Sequence, residues 1–177
     1  EQKTAGGRYA RQIEKACGGR PDRDPAAAAA CRRRSPLTWL SNATAVNLDI
    51  NAGIRDGRKG SVPFTHSLRA FNAVAREADR IPDDDLALFY RTMKPPGGGA
   101  AIGDPRYGKK RVLFRKRSRR ARVTIFDGGH EIVHAAALAW LEKQRRGIEN
   151  IDALLEPIRR KHGLPALAAA AVAGGRI

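Results

Sequence analysis

What the sequence lacks removes several classes of protein before any motif is read. Its 177 residues include only two cysteines, one methionine, five Phe, three Tyr and two Trp. Two cysteines exclude a disulfide-dense scaffold and a cysteine-rich zinc module. Cys17 and Cys31 flank a loop rich in Pro and Ala. They form either one bridge, which would favour a secreted or periplasmic setting, or two unrelated thiols. No apolar run approaches the ~18 residues that cross a bilayer, and the alanine-rich stretch at 166–173 is too short. The first residue is Glu1 and no charged-then-apolar segment opens the chain, so it reads as a mature, processed or truncated product. Acidic side chains are scarce as well: 18 Asp and Glu face 34 Lys and Arg, a net charge of +16. That balance brings acidic partners into view. However, the 25 arginines are scattered from Arg8 to Arg176 among abundant alanine, which reads as compositional bias for most of the charge.

With 42% hydrophobic and 29% charged residues, the chain is globular and long enough for one ordinary core. Tyr9, Ile13 and Ala16 recur at helical spacing over residues 8–17, and Gly18-Gly19 stops that helix. Residues 20–30 read as a linker in which the alanines add at most a turn. Val46, Leu48 and Ile50 alternate as in a strand, and the Gly-rich stretch 51–60 is a loop. Pro63 opens a helix running to about Ala78, with Phe64, Leu68, Phe71 and Ala75 on one face. Residues 79–110 form an irregular insertion around a short helix at 86–92. The β-rich runs 112–114 and 123–126 flank a basic turn. A further helix runs from Ile132 to about Arg146, followed by an amphipathic helix at 151–162 and an Ala-rich tail. Residues 1–40 are thus a helix and linker, 41–147 the main domain and 148–177 a helical tail. The order βαβα predicts an α/β class with a mainly parallel sheet, whose functional loops leave the carboxyl ends of the strands.

Two such loops carry Asp56 and His130. An imidazole acting as a general base needs its Nδ1–H held by a buried acceptor, and an aspartate at a neighbouring strand end supplies one. The alternative is a turn-capping aspartate and a histidine that merely starts a helix. Here the sequence becomes specific. An apolar strand, Gly53-x-x-Asp56, Val62-Pro63 and then Ser67 early in a helix resemble the acid loop of prolyl-oligopeptidase-type and esterase-type α/β-hydrolases. Residues 123–140 resemble the final strand, Gly-Gly-His turn and closing helix of the same family. The resemblance covers residues 41–146 and implies the carboxyl half of an α/β-hydrolase fold. In it Asp56 orients His130, and His130 deprotonates a serine to hydrolyse an ester or peptide bond of a small substrate through an acyl-enzyme, without a cofactor. The sequence departs from the family in having no Gly-x-Ser-x-Gly elbow. Its serines are Ser35, Ser41, Ser61, Ser67 and Ser118. The expectation is therefore an acid and a base without their nucleophile, which would belong to a missing amino-terminal half, and a chain inactive alone.

Three other readings attach to these residues. His130-Glu131-Ile132-Val133-His134 matches H-E-x-x-H, in which two imidazoles one helical turn apart hold zinc and the glutamate acts on the bound water. That geometry needs His130 inside a helix, and Asp127-Gly-Gly129 immediately before it argues against one. Arg55 and Arg58 flank Asp56 and could bind an anionic substrate group. The run 109–122 is the densest in basic residues, and with Phe114 available for stacking it could follow a nucleic-acid backbone. No nucleic-acid-binding module is present, so a solvated hairpin is the expectation there.

Overall fold

The computed structural model describes residues 8–58, 62–98, 100–144, 156–157 and 159–161. Described residues up to Trp140 form one compact unit and those from Leu141 onward a second. The expected helix at 151–162 and the tail lie mostly outside the described residues; 156–157 and 159–161 are helical.

The chain opens with α1 (Arg8–Cys17) and α2 (Pro25–Arg34), tied by a Cys17–Cys31 disulfide. Gly18 at φ +78° and a Gly19 N–H bond to the Glu14 carbonyl (2.9 Å) end α1 as the sequence suggested. Two expectations are corrected here. Tyr9, Ile13 and Ala16 are exposed, because the helix instead buries Ala10 and Cys17, the side that carries the bridge. The expected linker contains a full ten-residue helix, α2. Its alanines show no amphipathic stripe, but local chemistry favours helix throughout. Asp24 Oδ1 accepts the Ala26 N–H (2.8 Å), Pro25 occupies the first turn, and Arg32, Arg33 and Arg34 fill the last one.

After the short helix α3 (Pro36–Trp39) come β1 (Leu48–Gly53), α4 (Thr65–Val74), α5 (Asp83–Thr92), β2 (Val112–Ser118), β3 (Ala121–Phe126) and α6 (His134–Leu141). The chain is of the α/β class with a small mixed sheet in the order β1-β3-β2. β1 runs parallel to β3, and β2 pairs antiparallel with β3 as a hairpin. The sheet is therefore not mainly parallel, because the two-residue turn at Arg119-Arg120 forces an antiparallel return.

The pairing register explains the two faces of the sheet. Leu48, Ile50 and Ala52 stand beside Ala121, Val123 and Ile125. This apolar face packs on Leu68, Phe71 and Val74 of α4 and on Leu86 and Phe89 of α5. The opposite face is polar yet largely covered. Arg122 forks onto Asp49 (2.6 and 2.7 Å), with both side chains under 10% exposed. Tyr107 Oη donates to Asn51 Oδ1 (2.5 Å). Arg115 reaches Asp104 (2.9 Å) and donates to Thr124 Oγ1 (3.2 Å). Fixed partners make such burial tolerable. β3, flanked on both edges, is buried at every residue.

Candidate active site

Gly53 pairs with Phe126, so β1 and β3 end side by side and release their loops at one end of the sheet. The pairing continues beyond the strands, with Ile54 N–H to the Phe126 carbonyl and Arg55 N–H to the Gly128 carbonyl, both 2.9 Å. Gly53 sets how closely the loops approach, and Gly128 how tightly its own turn folds. A Cβ on Gly53 would lie 2.2 Å from the Gly129 oxygen, and one on Gly128 would lie 2.3 Å from the Phe126 ring.

This approach brings Asp56 and His130 together across 74 residues. A carboxylate only accepts, so His130 Nδ1–H donates to Asp56 Oδ2, at 2.7 Å. Asp56 is 7% exposed, and its other oxygen accepts the N–H groups of Gly57 (2.9 Å) and Val62 (3.2 Å). These bonds fix the acceptor before the imidazole arrives. Gly57 makes the loop by adopting φ +82° against Pro63, where a Cβ would clash at 2.4 Å. The His130 side chain is 65% exposed, and its Nε2 has no protein partner among the described residues. The pair opens into a cleft of about 600 Å³ lined also by Val62, Pro63, Phe64, Ser67, Ile132 and His134. Ser67 lies inside α4. It is therefore not presented in a strand-to-helix turn of the nucleophile type.

The His130 turn is braced by charge. Asp127 accepts from Arg55 and from Arg111 (3.1 Å), and these guanidiniums, Arg55 foremost, hold its carboxyl below the usual range. Glu131 pairs with Lys110 (2.8 Å) and accepts the Gly129 N–H (3.0 Å), and the Lys110 ammonium beside it chiefly lowers its carboxyl in turn. Sequence reasoning missed Asp127, Lys110 and this use of Glu131. Only the adjacency of Asp127 to the glycine pair gave any signal of them.

The other expected site residues serve elsewhere. Arg55 is committed to Asp127 and Arg58 to the Tyr90 carbonyl, with the Arg58 guanidinium 4.9 Å over the Tyr90 ring. Both arginines staple loops instead of presenting free cations to a ligand. α6 starts at His134, and Ala137 N–H bonds to the Val133 carbonyl (3.0 Å), so His130 and Glu131 precede the helix. The helical presentation that H-E-x-x-H requires is not formed, and no cluster of three metal-ligating side chains occurs among the described residues. Phe114 is half-buried against Phe89 (ring centroids 5.6 Å apart) and offers no stacking platform. No described helix is long and apolar enough to cross a membrane. Compared with models of known protein families, with curated proteins and with solved structures, the chain matches none.

Proposed function

We propose that this chain supplies the acid and base of a serine-hydrolase site of the α/β-hydrolase type. The observation that carries the reading is the 2.7 Å contact between His130 Nδ1 and a buried, doubly capped Asp56 at the ends of adjacent parallel strands. A carboxylate there fixes the tautomer in which Nε2 is unprotonated, and an unprotonated Nε2 facing an open cleft can take a proton from a hydroxyl. His130 then acts as base in acylation and as acid toward the leaving group, and Asp56 stabilises the imidazolium that forms between the two. The substrate class is a small ester or peptide, consistent with the modest, partly apolar cleft around Val62, Phe64 and Ile132.

The serine is not among the five in this sequence and belongs to polypeptide outside it, carrying the amino-terminal half of the fold. The test is to read the coding sequence upstream for Gly-x-Ser-x-Gly and to assay the polypeptide that includes it. Its serine should take a fluorophosphonate label and cleave a nitrophenyl ester in a manner abolished by His130→Ala. The present chain alone should take no label. An upstream region without the elbow, or an activity indifferent to His130→Ala, would reject the reading.

A further inference from the structure

The tip of the β2–β3 hairpin carries a charge arrangement that the acid–base pair does not use. Ser118 faces Ala121, leaving Arg119 and Arg120 as a two-residue turn. Such turns call for a positive φ, which glycine or asparagine supplies at little cost. Arg119 adopts it instead, at φ +50°, although a long L side chain is disfavoured there. Among the described residues the side chains of Lys116, Arg117, Arg119 and Arg120 make no ion pair or hydrogen bond. Elsewhere on the same sheet Arg115 and Arg122 are paired with Asp104 and Asp49. The acidic group that the tip touches is Asp79, which is engaged by Ser118 Oγ–H at 2.6 Å. Ser118 Oγ also accepts the Arg76 N–H (2.9 Å), so the turn is held in place before any partner arrives.

We propose that this tip binds a sulfated polysaccharide. Planar guanidiniums match sulfate oxyanions in bidentate fashion, and basic clusters of this length form heparin-type patches. The nearest ring on the hairpin, Phe114, is packed against the core, so the stacking platform that single-stranded nucleic acid uses is missing at the tip. The Cys17–Cys31 bridge is compatible with an extracellular setting, the one in which a sulfated polysaccharide would be available.

Binding of a labelled heparin oligosaccharide to the full chain tests this by fluorescence anisotropy at several salt concentrations. Arg117→Ala/Arg119→Gly/Arg120→Ala should weaken it about tenfold or more. Arg32→Ala/Arg33→Ala/Arg34→Ala removes the same three positive charges from the end of α2 and should change it less than about twofold. Equal losses in the two variants would mean net charge alone and overturn the site. Tighter binding of DNA oligonucleotides, or of phosphatidylglycerol vesicles, than of heparin would overturn the partner class. Arg119→Gly alone should weaken heparin binding while raising the thermal midpoint; unchanged affinity with a raised midpoint would remove Arg119 from the site.

Discussion

Gly53 and Gly129 approach so closely that a single methyl group on the first would fall 2.2 Å from the carbonyl oxygen of the second. Both partners are backbone, so the contact cannot be relieved by a rotamer change. Gly53→Ala should therefore destabilise the fold by about 2 kcal/mol, read from the urea midpoint at constant slope. A stability within a few tenths of a kcal/mol of the parent would show that the loops are not in contact.

Asp56→Asn keeps an oxygen for the Gly57 and Val62 N–H groups but can turn an amide N–H toward His130. The imidazole should then move its proton from Nδ1 to Nε2, visible as exchanged ¹⁵N shifts of the two ring nitrogens. If the hydrolase reading proposed above holds, the same change should cost on the order of 10⁴ in the kcat of the serine-bearing polypeptide. Ring-nitrogen shifts identical to the parent would contradict the orienting role.

Asp104 gives the fold an acid-side dependence. Arg106 first, and Arg115 beside it, hold its carboxyl down at about 2, and the side chain is 2% exposed. A carboxyl whose pKa is lower folded than unfolded contributes stability above its unfolded value near 3.8. That contribution is lost as pH falls from there toward 2. The loss should be on the order of 2 kcal/mol. Asp104→Asn should flatten the stability curve across that window; a curve unchanged in slope would dispose of the assignment.

The Asp49–Arg122 fork separates two causes of instability. Asp49→Ala strands a buried guanidinium and should cost about 3–5 kcal/mol. Replacing both partners by apolar residues of similar volume, Asp49→Leu/Arg122→Met, should recover most of it. A double variant as unstable as the single one would show that the pair contributes more than the desolvation it requires.

Reduction of Cys17–Cys31 should cost about 3 kcal/mol, given a sequence separation of 14 between the two cysteines. Equal melting curves with and without reductant would show that the bridge does not constrain the unfolded chain.

The strands and the Asp56–His130 relation were legible because alternation at Leu48 and Ile50 and two glycine-marked loops are local signals of backbone geometry. The polar face of the sheet was not legible. Asn51 and Tyr107 lie in stretches read as loop or irregular insertion, and only a contact across 56 residues makes them partners. α2 was missed because helix propensity and capping, not an amphipathic stripe, specify it. α1 misled for the converse reason: its apolar stripe is real, but the buried side is turned toward Ala10 and Cys17, where the bridge lies.

β3 is the last strand in sequence and the middle one in space. Its hairpin with β2 closes through two residues, whereas its pairing with β1 must close a loop of some seventy. Loop-closure entropy then gives the sheet an order of assembly: hairpin early, parallel edge late. His130 meets Asp56 only at that second event. The acid–base pair is thus withheld until the sheet is complete, and a partly folded chain offers no oriented imidazole to its surroundings.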